Sequence, residues 1–283
     1  MKIIECPRDA MQGLADFVPT ELKVQYLQAL LQVGFDTLDF GSFVSPKAIP
    51  QMRDTAEVLA QLDLSATTTK LLAIVANVRG AEQAVSYAPI RYIGFPLSLS
   101  ETFQKRNTNK SISEALVEVA QMQELCLKTG KELVLYLSMG FGNPYGEPWE
   151  PTLVGEMTQK LDELGIKIVS LSDTIGVSSP ETILPLFQTL IPAFPHIEFG
   201  AHLHTSPSTW QEKVEAVYAS GCRRMDGALL GYGGCPMAKD ELVGNMPTEK
   251  MVAYLQEKGV PLNLNQEALS EAMALATHVF QSH

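Results

Sequence analysis

Ile197-Glu198-Phe199-Gly200-Ala201-His202-Leu203-His204 is a short apolar run that closes on two histidines spaced two apart. In a strand, residues two apart point to the same side. Both imidazoles therefore converge on one point at the strand's C-terminal end. Such a pair can begin a metal site, because imidazole suits Zn, Mn or Fe and leaves positions for oxygen ligands. His-x-His also occurs as a purely structural pair. Its company here argues otherwise: Arg8-Asp9 stands just past the first apolar run, and Gly231-Tyr232-Gly233-Gly234 leads to Cys235 near the last one.

Similar runs recur along the chain. Lys2–Cys6, Asp36–Phe40, Lys70–Val75, Arg91–Phe95, Glu132–Ser138, Lys167–Ser172, Glu198–His204 and Arg223–Leu229 read as strands, with helical periodicity between them. Pro19-Thr20-Glu21 opens a helix carrying Leu22, Val24, Leu27, Leu30 and Leu31. Ser111 and Glu114 spell a capping box for a helix over Ile112–Lys128, closed by Gly130. Further helices are expected from Pro151 or Thr152 to Leu164, and over Pro180–Ile191, Thr209–Ser220 and Thr248–Glu257. Eight strand–helix units in sequence imply an α/β protein with a parallel sheet closed into a (β/α)8 TIM barrel. An open doubly wound sheet is the alternative, but no Gly-x-Gly-x-x-Gly turn follows the first strand. Gln266–Phe280 reads as an extra C-terminal helix, which could pack over the barrel or against another subunit in a homodimer.

The 283 residues, 46% of them hydrophobic, suffice for one full core over residues 1–283; barrels of about 250 residues commonly form one domain. Net charge is -11, with no basic footprint for nucleic acid. An acidic surface still permits an anionic substrate in a local basic pocket. Cys6, Cys126, Cys222 and Cys235 form no Cys-x-x-Cys pair, which argues against structural zinc and a disulfide scaffold. No apolar run has the length of a membrane span, and the N-terminus enters a strand without a signal-peptide core. A cytoplasmic location is expected.

In such a barrel the loops after the strands' C-terminal ends build the active site. Arg8 and Asp9 follow the first strand, Asp39 ends the second, and Asp173 follows the sixth. His202 and His204 end the seventh, while Cys235 and Asn245 lie beyond the eighth. The first, seventh and eighth strands become neighbours on closure, so the scattered residues form one cluster.

Together these motifs resemble the 3-hydroxy-3-methylglutaryl-CoA lyase branch of the metal-dependent TIM-barrel lyases. The markers are Cys6-Pro7-Arg8-Asp9-Ala10-Met11-Gln12, Ser42-Phe43-Val44-Ser45-Pro46-Lys47, Phe103-Gln104-Lys105-Arg106-Asn107, Ser172-Asp173-Thr174-Ile175-Gly176, His202-Leu203-His204 and Gly233-Gly234-Cys235-Pro236. The resemblance implies a divalent metal, Mg or Mn, on Asp9, His202, His204 and Asn245. It implies an acyl-CoA substrate, with Gln12, Asp39 and Ser42 in substrate binding. Arg8 would lie beside the thioester carbonyl, Cys235 would transfer a proton from a flexible loop, and Asp173 would stand close to the metal. The implied reaction is retro-Claisen (retro-aldol) cleavage of 3-hydroxy-3-methylglutaryl-CoA to acetyl-CoA and acetoacetate.

Several positions depart from the family. Ala10 replaces a glycine, Gly13-Leu14-Ala15 replaces Asn-Glu-Lys, and Asp39 stands for a longer glutamate. Thr205 replaces an aspartate after His-x-His, Asn143 replaces a cysteine, and Lys239–Asn245 is one residue longer than the family pattern. Two alternatives follow: the same cleavage of a related 3-hydroxyacyl-CoA, or a metal-binding barrel without turnover. Asp9 could simply cap a turn, Asp173 could equally be a helix N-cap or stand behind the residues that touch the metal, Cys235 could be an inert small residue, and Gly231, Gly233 and Gly234 could cradle a CoA phosphate.

Overall fold

The computed structural model describes residues 1–234 and 243–282. Eight parallel strands run at Lys2–Glu5 (β1), Thr37–Ser42 (β2), Lys70–Ile74 (β3), Ile90–Ser98 (β4), Glu132–Ser138 (β5), Ile168–Asp173 (β6), Glu198–Thr205 (β7) and Arg224–Gly227 (β8). Gly244–Asn245 (β9) pairs antiparallel with β7. Neighbouring strands follow chain order, and β8 pairs β1, so the sheet closes into a (β/α)8 TIM barrel. The helices are Pro7–Met11 (α1), Thr20–Val33 (α2), Thr55–Gln61 (α3), Val78–Val85 (α4), Glu101–Thr108 (α5) and Ile112–Thr129 (α6). They continue with Pro151–Glu163 (α7), Pro180–Ala193 (α8), Trp210–Ala219 (α9), Thr248–Glu257 (α10) and Gln266–Ser282 (α11). Among the described residues no helix is long and apolar enough to cross a membrane.

The strands are buried almost throughout because barrel strands are covered on both faces. Leu72, Ile74, Tyr92, Val134, Tyr136 and Ile168 pack together inside the barrel. Their alternates, such as Leu71, Ala73, Ile93 and Leu135, join the larger core under the helices. The capping box of Ser111 and Glu114 forms as read, and Gly130 ends α6 with φ 68°.

Strand ends move outward from the sequence reading. A register irregularity between Asp39 and Gly41 lets β2 run on to Ser42, and β4 continues through Pro96 to Ser98. β6 takes in Asp173 as its last residue. The five-residue α1 is too short to show periodicity, yet it carries Arg8 and Asp9, with Pro7 at its start. The last helix packs over its own barrel: α11 lies along α2, and Phe280 stacks on Tyr232 at 4.3 Å.

One buried carboxylate ties the barrel to the segment after β8. Glu5 points outward from β1 and accepts the Leu229 N–H (2.9 Å) and the Thr248 hydroxyl (2.6 Å). Leu230, with φ 61°, donates its N–H to Glu249. Burial raises the Glu5 pKa from 4.5 to about 8, against the lowering effect of its two hydrogen bonds. Folding therefore favours the protonated acid. Its contribution to stability is complete below the ordinary value and is lost as pH rises toward about 8. Glu5→Gln should remove that loss, which amounts to about 1.4 kcal/mol per pH unit across the interval. Melting curves at pH 5 and pH 8 should show a smaller fall in Tm for Glu5→Gln than for the wild type; an equal fall would rule Glu5 out as its source.

Candidate metal centre

Asp9 sits one turn into α1, directly above β1, while His202 and His204 project from β7. Their ligand atoms all lie within 4.8 Å of one another. His204 Nδ1 is 2.9 Å from the Thr174 carbonyl, which can only accept, so Nδ1 carries the proton. Its Nε2 is buried with no hydrogen-bond partner among the described residues. That lone pair is free for a cation. His202 Nδ1 lies 3.1 Å from an Asp226 carboxylate oxygen, which likewise leaves Nε2 as the outward ligand. Carboxylate oxygen with two imidazoles is a donor set suited to a divalent ion, and the residues fit one.

Charge around the trio is arranged for binding a cation. Burial lowers His204, helped by the charge of His202, so its imidazole stays neutral. Burial opposes charge on His202 as well, but Asp226 and Asp9 outweigh it and raise that pKa. Asp9 is held down at about 2: burial acts against the shift, while Arg8 and the two histidines overcome it. It is a carboxylate at any working pH.

Arg8 organises the other side. Its Nε lies 3.1 Å from both Asp39 oxygens, Nη2 lies 2.6 Å from one of them, and Nη1 reaches Asp9 at 3.1 Å and Gln12 at 2.8 Å. Gln12 in turn donates to Asp9 at 2.9 Å. Of five guanidinium N–H groups, one on Nη2 is left to meet a ligand. Burial alone would lower Arg8, but Asp39 and Asp9 reverse this and raise it.

Asn245 reaches the cluster despite the longer segment before it. Pairing of β9 with β7 sets Asn245 opposite His204, and its Nδ2 donates to Asp9 and to the Tyr232 carbonyl, both at 2.9 Å. Gly233, at φ 82°, fits between Ala10 and Asn245, where an added Cβ would lie 2.7 Å from the Ala10 Cα. Cys235 lies outside the described residues. Ser42 is buried at the end of β2, its hydroxyl accepting the Val44 N–H.

A family model described as HMGL-like matches residues 2–276. The chain belongs to that family. It is 32% identical to the mitochondrial hydroxymethylglutaryl-CoA lyase of Bos taurus, over 97% of this chain and 84% of that protein. It is 29% identical to the (R)-citramalyl-CoA lyase of Chloroflexus aurantiacus, over 94% and 86%. Its fold superposes on the HMG-CoA lyase from Brucella melitensis with a TM-score of 0.92, at 30% identity, covering 99% and 98% of the two chains. This HMGL-like chain is thus an enzyme of a lyase family, and its centre groups three side chains that could hold a metal ion.

Asp173 stands behind the centre. Its carboxylate accepts the Val177 and Ser178 N–H groups and the Ser178 hydroxyl, and it pairs with the buried Lys213 ammonium at 3.0 Å. Lys213 also donates to the His204 carbonyl at 2.8 Å. The turn so fixed carries the Thr174 carbonyl that orients His204. Sequence reading passed over Lys213 and Asp226, though both left a signal. Lys213 falls among the buried positions of α9 beside Val214 and Val217, and Asp226 stands near the C-terminal end of β8, where a barrel gathers its site residues.

Asp226→Asn should keep the fold but weaken divalent-metal binding by about 10–100-fold, because a carboxamide holds His202 Nδ1–H less firmly. Calorimetric titration with Mn2+ measures this directly. Wild-type affinity in the variant would show that Asp226 does not orient the ligand.

Proposed function

We propose that this enzyme cleaves 3-hydroxy-3-methylglutaryl-CoA to acetyl-CoA and acetoacetate, using Mg or Mn held by Asp9, His202 and His204 with the Asn245 amide beside them. The observation that carries the reading is the free, buried Nε2 of His204 facing an ionised Asp9, with the Arg8 guanidinium fixed alongside. A bound divalent cation would supply acidification of the substrate's tertiary hydroxyl. Loss of that proton lets the C2–C3 bond break; C3 becomes the ketone of acetoacetate, and the bonding pair passes to C2 as the thioester enolate. Arg8, permanently charged and held by Asp39, offers its remaining N–H to the enolate oxygen. Cys235 is our candidate to return a proton to C2, and Gln12 keeps Arg8 and Asp9 aligned. Asp173 acts through position, by shaping the turn behind His204.

The acyl-CoA ester needs a basic approach in an acidic protein. A cleft of about 290 Å³ opens between the loops after β2 and β3 and is lined by Ser42, Val44, Ser45, Arg53, Asn77 and Arg79. Arg53 lies over the Phe17 ring at 3.5 Å, and Asn77 caps α4 through the Gly80 N–H. Anionic parts of CoA fit such a lining. The likeness to a citramalyl-CoA lyase at nearly the same identity favours one second reading, the same cleavage of a related 3-hydroxyacyl-CoA.

Acetoacetate release from 3-hydroxy-3-methylglutaryl-CoA, with Mg2+ or Mn2+ and again after chelation, tests the reaction. We expect metal-dependent release, abolished together with metal binding in Asp9→Ala. Metal binding without release would move the reaction to another acyl-CoA, with citramalyl-CoA tried first. Arg79→Ala should raise KM for the ester roughly threefold to fivefold while kcat stays near the wild-type value, the effect of one exposed charge; an unchanged KM would place CoA elsewhere.

A further inference from the structure

Below the metal centre, inside the barrel, lies an arginine with no place in the reaction above. Arg224 is fully buried at the start of β8. It shares the inward face with Asp226, two residues on, while Met225 between them joins the outer core. Its stem folds across β7 at Gly200: a Cβ there would sit 3.0 Å from Arg224 Cδ and 3.1 Å from the Ser170 hydroxyl. Any larger residue there would press on the arginine stem and oblige it to shift. At the barrel floor Nη1 lies 3.4 Å from Glu198, which is 34% exposed. Nε and Nη2 have no partner among the described residues, and neither do Ser170 Oγ, Tyr136 Oη and Asp226 Oδ1.

Strand register brings the residues that carry these atoms to neighbouring positions along β5 to β8. Tyr136 is in register with Ser170, and Ser170 with Gly200. The Tyr136 ring stands edge-on to His202 with centroids 5.7 Å apart. Asp226 gives one oxygen to His202 and leaves the other free. A buried guanidinium is kept only where opposite charge and hydrogen bonds compensate it. Asp226 stands first among the charges that hold Arg224 protonated against burial, ahead of Glu198. Unpaired donors facing an unpaired carboxylate oxygen are bridged directly by small movements or by a buried water with partners enough to hold it.

We propose that Arg224 is a positioning residue for the metal centre: braced over Gly200, it fixes the Asp226 carboxylate from below and thereby fixes the tautomer and tilt of His202. The influence passes from the Arg224 charge to Asp226, and from Asp226 by hydrogen bond to His202. Tyr136 and Ser170 complete the polar floor on which the carboxylate rests. The inference rests on the metal-centre reading, and its test separates the two.

Arg224→Met exchanges a buried charge for an apolar chain of similar length, and removing one partner from buried opposite charges lowers stability. We expect this variant to melt below the wild type but to stay folded at the temperature of the titration, and there to bind Mn2+ about tenfold more weakly. Arg224→Lys, which keeps the charge, should recover most of the affinity. In the Asp226→Asn background, Arg224→Met should cost nothing further, because its route to His202 is already broken. Nitrogen-edited NMR of the metal-free protein gives an independent readout: the hydrogen-bonded Nδ1 proton of His202 should be sharp in the wild type and lost to exchange in Arg224→Met. If Arg224→Met does not fold, Arg224→Gln carries the same expectations for both readouts. Wild-type Mn2+ affinity with an unchanged Nδ1 signal would overturn the proposal, and so would additive losses in the double variant. A wild-type protein that binds no Mn2+ while its Nδ1 signal still responds to Arg224→Met would sink the metal-centre reading and leave the Arg224–Asp226–His202 coupling standing.

Discussion

Closure of β1 onto β8 is the constraint on which everything at the centre depends. Asp9 and Asn245 are 236 residues apart in sequence, yet their side chains meet at 2.9 Å. No local propensity could bring them together. Parallel pairing of Lys2 through Glu5 with Arg224 through Gly227 does so, and pairing of His202 with Asp226 sets the histidines at the same height. A slip of one residue in either register would turn the inward face outward and send Asp226 and His202 into the helix layer. The buried Glu5 clamp to Leu229 and Thr248 guards the same closure from outside the barrel.

Charge explains why so polar a centre can be buried. Asp9, Asp39 and Asp226 stand within one barrel mouth, and three unpaired carboxylates there could not all stay ionised. Arg8 pairs with Asp39 and Asp9, and His202 pairs with Asp226. Burial pushes Asp39 up to about 6 even with Arg8 against it, while Arg8 and the two histidines hold Asp9 at about 2. The centre is therefore one coupled set in which a cation on Asp9 adds positive charge where carboxylates already predominate.

How much of this was legible in sequence follows from the range of each interaction. The barrel was readable because eight apolar runs and their helices are local patterns. The capping box of Ser111 and Glu114 and the helix over Thr248–Glu257 fell where the residues said. His202, His204, Asp9 and Arg8 could be read because strand alternation and strand ends are also local. Ends that depend on neighbouring strands were misjudged: β2 runs past Phe40 because of the irregularity at Asp39, and β4 passes Pro96 because β5 is there to pair with it. Lys213 and Arg224 were missed for a different reason. A lysine or arginine in sequence reads as a solvated charge, and only the fold shows that each is buried against a carboxylate.

The same logic bears on substrate choice. Sequence reading gave Asp39 to substrate binding and noted its short reach. In the structure both of its oxygens lie on Arg8, which places Asp39 in orienting the arginine. A longer glutamate at this position would have to fold back or push the guanidinium toward the barrel axis, shrinking the space between Arg8 and the histidines. The shorter side chain leaves Arg8 drawn toward the β2 wall. What the barrel mouth can accept between Arg8 and the trio of Asp9, His202 and His204 is set by that distance.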